Sequence, residues 1–247
     1  MDLHVRTWGE GERVVLLHGA HVADPGRTWG EQRELANRYQ LVIPDRRGHG
    51  ESPDYVGPGF EATIADVLEL LGEGAHLAGL SYGAIVAMLV AVRSPGRVKS
   101  LTLIEPPAFH LSAADPSVRG LMERLLPAYA ESRTPEEFIR RFGAAFGDDE
   151  EEEEAFELPP GLRRAIATHM MEPAPWEAEF DLPALAACAF PKWLVTGGWH
   201  GAFEAVAQVL APAIGAEWTV FPGAGHGVQR TGKPFNDRFE ALLASAK

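Results

Sequence analysis

Gly79-Leu80-Ser81-Tyr82-Gly83 is the stretch on which the fold turns. Before it runs His76-Leu77-Ala78, short and apolar enough for a buried strand. After it, residues 84–92 are apolar all round, which predicts a buried helix. A serine between such a strand and such a helix sits on a turn too sharp for ordinary dihedrals, and glycines two residues to either side leave room for the chain to close. Its hydroxyl then stands clear of the sheet at a helix N-terminus, where developing negative charge is favoured. Ser81 is thus a candidate nucleophile.

Working outward, the same rhythm recurs. Val14-Val15-Leu16-Leu17 stops at His18-Gly19, Leu41-Val42-Ile43 at Pro44-Asp45, and Leu101-Thr102-Leu103-Ile104 at Glu105-Pro106. Late in the chain, Trp193-Leu194-Val195-Thr196 stops at Gly197-Gly198 and Trp218-Thr219-Val220-Phe221 at Pro222-Gly223. Apolar runs without polar alternation suit strands covered on both faces, as in a parallel sheet. Between them Ile64, Val67, Leu68 and Leu71 make one helical stripe, and Phe235, Phe239 and Leu242 make another near the end. The expectation is an α/β fold, a doubly wound sheet with right-handed crossovers.

The middle third breaks this rhythm. Residues 107–189 hold no clear strand run, only helical patches such as 118–126 and 138–146 separated by prolines. Of the net charge of −13 over 247 residues, about −10 lies between Pro107 and Phe190, where 17 Asp and Glu face 7 Lys and Arg. Seven of those acids are consecutive, at 148–154. They lack the alternating ligands and glycine turn of a calcium loop and read as a solvated segment. So uneven an acidity points to an inserted unit.

Composition excludes several classes. An apolar fraction of 46% is too high for a disordered chain, and no apolar run is long enough to span a membrane. The acidity disfavours nucleic acid and anionic lipid as partners. One cysteine, Cys188, forbids a disulfide framework; it reads as a small buried filler before a strand. Met1-Asp2-Leu3-His4 lacks the basic start and apolar core of a signal peptide, so the expected location is the cytoplasm.

Two further strand ends carry chemistry. His226, in Gly223-Ala224-Gly225-His226-Gly227, follows the last strand and precedes the last helix, where α/β sheets place site residues. It could take the proton of a serine hydroxyl, which is a poor nucleophile without a base. In His18-Gly19-Ala20, the glycine lets the loop approach the centre, so the N–H groups of Ala20 and Tyr82 could form an oxyanion hole. The His18 side chain reads as structural.

With these motifs in place, the chain resembles the α/β-hydrolase superfamily. Four motifs stand in that family's order: His18-Gly19, the segment Asp45-Arg46-Arg47-Gly48-His49-Gly50-Glu51-Ser52, the turn at Ser81, and Gly225-His226. The resemblance implies a mostly parallel sheet of eight strands flanked by helices. It implies a helical cap inserted after the sixth strand, so that 1–106 and 190–247 form the core domain and 107–189 the cap. It implies no metal and no organic cofactor. Asp45, Arg46 and His49 are expected to hold a turn through polar contacts.

One departure matters. The family's acid usually follows the penultimate strand, and the aligned position here is His200, which cannot serve as an anion. Three readings stay open. The acid is Glu105, at the strand end where certain haloalkane dehalogenases carry theirs; or it is Glu204; or there is none, leaving a dyad or a site given over to binding. The expected reaction is cleavage of an ester-like bond in a small, partly apolar molecule through an acyl-enzyme. C–C bond, lactone and thioester hydrolysis, lyase and cofactor-free oxygenation chemistry share the machinery. A non-catalytic binding or sensor protein is the alternative from another class. Ser81 disfavours the family branches that use an aspartate nucleophile. His21, Trp29, Phe109, Trp176 and His200 are the candidate substrate contacts, and Trp29 is expected at the mouth of the pocket. The partner is expected to be a small-molecule substrate, with the chain a monomer or homodimer.

Overall fold

Every apolar run read as a strand becomes one. In this computed structural model, which describes residues 2–55, 57, 59–147 and 157–246, the strands are β1 (Val5–Trp8), β2 (Glu12–Leu17), β3 (Tyr39–Pro44), β4 (Ala75–Leu80), β5 (Val98–Ile104), β6 (Lys192–Thr196) and β7 (Glu217–Val220). They form one sheet in the order β1-β3-β2-β4-β5-β6-β7. All pairings are parallel except β1 with β3. The acidic run 148–154 lies outside the described residues.

The described sheet therefore has seven strands and not eight. A single antiparallel strand, β1, precedes the parallel set, so the long insertion follows the fifth strand rather than the sixth. The sequence Val5-Arg6-Thr7-Trp8 holds no apolar run, because this strand lies at the sheet edge, half exposed, and needs none.

The helices are α1 (Pro25–Thr28), α2 (Glu61–Leu70), α3 (Tyr82–Arg93), α4 (Pro116–Glu131), α5 (Pro135–Ala145), α6 (Pro160–His169), α7 (Leu182–Ala187), α8 (Gly201–Ile214) and α9 (Lys233–Ser245). The period-two pleat splits the core in two. Val15, Leu17, Leu77, Leu101 and Leu103 face α3 and α8; Val14, Leu16, Leu41, Ile43, Trp193 and Val195 face α9. The helix α3 is wedged so deeply that, of its twelve residues, only Leu89, Val92 and Arg93 are not buried. Burying each such aliphatic side chain stabilises the fold by roughly 1.5–3 kcal/mol.

Between β5 and β6 the described residues form helices α4 to α7 and no strand. Each of α4, α5 and α7 starts on a capping side chain: Asp115 accepts from the Ser117 N–H, Thr134 from Glu137, and Asp181 from Ala184. A small apolar cluster of Ala128, Phe138, Leu158 and Ile166 lies among these helices. They are tied to the loop after β3 by polar contacts. Thr168 donates to the Gly48 carbonyl, and Arg164 donates to the Gly50 and Ser52 carbonyls and to Asp54.

Two expectations need correcting. Trp29 is fully buried against α9 and its neighbours, not at a pocket mouth, because the helical turn α1 rotates it onto the far face of the sheet. Cys188 is only partly buried; it ends α7 and its thiol reaches the Ala184 carbonyl. No helix among the described residues is long and apolar enough to cross a membrane.

Candidate active site

Strand register brings the candidate residues to one level. Leu17 lies opposite Gly79, Leu80 opposite Ile104, Ile104 opposite Val195, and Thr196 opposite Val220. The turns that follow β2, β4, β5, β6 and β7 therefore open on one edge of the sheet. The chain goes from β2 to β3 on one side and from β4 to β5 on the other, which leaves a crevice between β2 and β4 where such sheets bind ligands.

Ser81 occupies the turn into α3 with φ 53° and ψ −121°, a conformation costly for any residue with a Cβ. The flanking glycines make it possible. A methyl group on Gly83 would sit 2.5 Å from the Leu17 carbonyl oxygen, and one on Gly79 would sit 2.2 Å from the Gly83 oxygen. Gly19 lets the loop after β2 come within reach: a Cβ there would stand 3.1 Å from that of Ser81. Among the described residues three non-glycine positions have positive φ, namely Ser81, Glu105 and His21. All three belong to the turns at this edge, and strain of this kind clusters at functional sites.

Glu105 is completely buried at the end of β5. Its Oε1 accepts from the Gly197 N–H at 2.6 Å, and its Oε2 accepts from the Trp199 indole at 2.9 Å. The same Oε2 lies 3.4 Å from His226 Nδ1. The His226 side chain is 38% exposed and its ring is hemmed by Phe203 and Trp199, with ring centroids 5.1 and 5.8 Å away. Ser81 and His226 line the same cavity; Ser81 Oγ makes no hydrogen bond among the described residues. The other candidate acid, Glu204, is used elsewhere: it accepts from the Thr196 hydroxyl and the Gly198 N–H, bracing the loop after β6.

His18 is locked into structure. Its Nε2 accepts from the Arg46 N–H at 3.0 Å, so its Nδ1 carries the proton and donates to the Gly19 carbonyl at 2.7 Å. Burial, and then the Arg46 charge, hold this imidazole well below its usual range. Asp45 accepts from His4 and from the Glu51 N–H. Arg46 forms a buried ion pair with Glu172 and lies over the Tyr82 ring at 4.6 Å. Burial pushes the Glu172 carboxyl up, but Arg46, His169 and His49 overcome that and hold it at about 2.

The cavity measures about 600 Å³. Its wall includes Ala20, His21, Ser81, Tyr82 and His226 on one side and Phe109, Tyr129, Phe142, His169 and Trp176 from the segment between β5 and β6. Its lining is largely apolar. Of the expected contacts, His21, Phe109 and Trp176 stand in this wall. His200 does not: it caps α8, its Nδ1 accepting from the Ala202 N–H, and packs on Phe146 and Trp199. Three contacts had no sequence signal: Trp199 as a donor to Glu105, Tyr129 as a lining residue whose hydroxyl meets His169, and Glu172 as the partner of Arg46.

Chemically, such an edge offers a strained hydroxyl, an imidazole beside a buried carboxylate, and backbone N–H groups at a helix start. A family model described as the alpha/beta hydrolase family matches residues 14–238. A pimeloyl-acyl-carrier-protein methyl ester esterase of Methylococcus capsulatus is 36% identical over 146 residues, 58% of this chain and 56% of its own length. One of the same name from Vibrio parahaemolyticus is 33% identical over 148 residues, again 58% of this chain and 56% of the relative. The chain thus spans about half the length of these curated relatives. An alpha/beta hydrolase from Sphaerobacter thermophilus has the same fold, with a TM-score of 0.73 at 22% identity over 98% of this chain and 96% of that one. With one family model spanning most of its length and the sheet built accordingly, the chain belongs to the alpha/beta hydrolase family.

Proposed function

We propose that the chain is a cofactor-free serine hydrolase that cleaves an ester bond in a small, partly apolar molecule, with residues 107–189 acting as a cap over a core of 1–106 and 190–247. Ser81 Oγ attacks the ester carbonyl while His226 takes its proton. Glu105 orients the imidazole and stabilises its charged form. The N–H groups of Ala20 and Tyr82 receive the developing oxyanion; both are unused by hydrogen bonds among the described residues. His226 returns the proton to the departing alcohol, leaving an acyl-enzyme on Ser81. A water molecule, deprotonated by His226, then attacks the acyl carbon; the bond to Ser81 Oγ breaks, His226 returns the proton to that oxygen, and the carboxylic acid is released.

The observation that carries this reading is the Glu105–His226 contact beside the strained Ser81 turn, at the wall of one apolar cavity. The relatives named as methyl ester esterases favour an ester of a small alcohol. The cap is supported by the helices between β5 and β6, which supply Tyr129, Phe142 and Trp176 to that cavity.

A fluorophosphonate probe with intact-mass detection, run beside p-nitrophenyl ester turnover, tests the reading. One label per chain, absent from Ser81→Ala, is expected. Labelling that persists in Ser81→Ala overturns Ser81 as the nucleophile. A native chain that neither labels nor turns over ester is a binding protein on this fold.

A further inference from the structure

The cavity wall that the inserted helices supply is mostly aromatic and aliphatic, but a line of polar groups reaches it from behind. Arg46, at the start of the loop after β3, is buried and paired with Glu172. The other carboxylate oxygen of Glu172 faces His169 Nδ1 at 3.7 Å, an electrostatic contact too long for a hydrogen bond. On the opposite side of that imidazole, Nε2 lies 2.7 Å from the Tyr129 hydroxyl. Both His169 and Tyr129 line the cavity.

We infer that Tyr129 forms a polar subsite in this cavity that selects esters whose acyl chain carries a hydroxyl, with Tyr129 as the acceptor of the hydroxyl proton. This inference rests on the ester-cleaving reading above. The direction of the hydrogen bonds follows from the charges. The Glu172 carboxylate draws the ring proton of His169 to Nδ1, so Nε2 is left as an acceptor. Tyr129 must then donate to it. A phenol that has given its only proton inward offers the cavity only its lone pairs. The ligand atom that meets it has to be a donor. An ether oxygen cannot be one, and a carboxylate would meet an acceptor backed by the Glu172 anion.

His21, another residue of this wall, carries a second polar atom just beneath its surface. His21 Nε2 is buried and has no hydrogen-bond partner among the described residues. Its ring stands edge-on to that of His169, 4.8 Å away, and next to Phe142 at 4.7 Å. A buried polar atom without a partner calls for an explanation, and His21 holds this place at a strained positive φ. A ligand hydroxyl, both donor and acceptor, can give its proton to Tyr129 and keep its lone pairs for a second polar contact in this wall. An N–H donor can do only the first.

The test is a ladder of methyl ω-hydroxyalkanoates of increasing chain length, each beside the plain alkanoate and the ω-methoxy ester, which accepts but cannot donate. For the best-fitting length, wild-type kcat/KM for the hydroxy ester should exceed both partners by roughly tenfold, the worth of one good hydrogen bond. In Tyr129→Phe that ratio should fall to near one. Equal rates for hydroxy and methoxy esters, or no preference at any length, overturn the subsite while leaving ester cleavage intact. Titration of the same ligands onto Ser81→Ala protein gives the ranking as Kd without turnover. A hydroxy preference in binding with no hydrolysis by the native chain upholds the subsite and overturns the ester-cleaving reading. The methoxy comparison needs no variant at the subsite, so the inference stays open to refutation even if Tyr129→Phe folds poorly.

Discussion

Glu105 and His226 meet at 3.4 Å although 121 residues separate them, and the carboxylate in that contact is wholly buried while the imidazole is partly open. The carboxylate is fixed at the end of a sheet strand and the imidazole is held at the cavity edge. Three donors converge on the carboxylate: the Gly197 N–H, the Trp199 indole and His226. Such an anion has little freedom, so it can hold the imidazole in one tautomer with its other nitrogen facing the cavity.

Glu105→Gln should therefore lower kcat by about 10³–10⁴, because the amide can no longer stabilise the imidazolium and can impose the wrong tautomer. Steady-state turnover of a p-nitrophenyl ester, on protein matched by circular dichroism, is the measurement. A kcat near that of the wild type would remove Glu105 from the triad.

Glu204→Gln should separate the two candidate acids. Glu204 braces Thr196 and Gly198, makes no hydrogen bond to His226 among the described residues and does not line the cavity. Its kcat should stay near the wild-type value, while loss of one bracing hydrogen bond lowers stability by about 1 kcal/mol. A collapse of kcat in a protein of unchanged melting temperature would reverse the assignment.

These residues were legible to different depths, for physical reasons. Ser81, Glu105 and the loop of Ala20 each follow an apolar run directly. Parallel register levels the ends of such runs, so their positions at one edge could be argued from sequence. His226 was legible through the glycines around it. Trp29 and His200 misled because closeness in sequence to a motif says nothing about which face a short helix or a cap presents. Arg46 and Glu172 are 126 residues apart, and their pairing depends on how α6 seats on the loop after β3. No local pattern encodes that seating, and the same holds for the Tyr129–His169 contact. The edge strand β1 is not legible in this way, because Val5-Arg6-Thr7-Trp8 alternates apolar and polar residues and holds no apolar run.

Ser81→Gly should make the fold more stable as it abolishes activity. The serine holds φ 53° and ψ −121°, which glycine adopts without strain. Relief of that strain, less the extra entropy glycine gains in the unfolded chain, leaves about 1 kcal/mol. For a chain of this length that is roughly 2–4 °C in Tm. Ser81→Ala keeps its Cβ and the strain, so its Tm should stay near the wild type. Calorimetry on both variants decides: a lower Tm for Ser81→Gly would mean that the turn is not strained.

The acid limb of stability should come in two stages. Burial holds His18, His21 and His49 well below the ordinary 6.5, helped by Arg46 at His18 and His49 and by His169 and His226 at His21. These rings stay neutral in the fold but gain protons once unfolded, so stability starts to fall as pH drops below about 6.5. Glu172 acts lower. Its folded value of about 2 against 4.5 unfolded means that its contribution is complete above 4.5 and is lost as pH falls toward 2. That shift corresponds to about 3 kcal/mol. Glu172→Gln should cost about 3–5 kcal/mol at neutral pH by stranding the buried Arg46, and should flatten the curve between 4.5 and 2 while leaving the upper stage in place. Urea unfolding across the pH range measures both stages. A variant that keeps the lower stage would show that other carboxylates carry it.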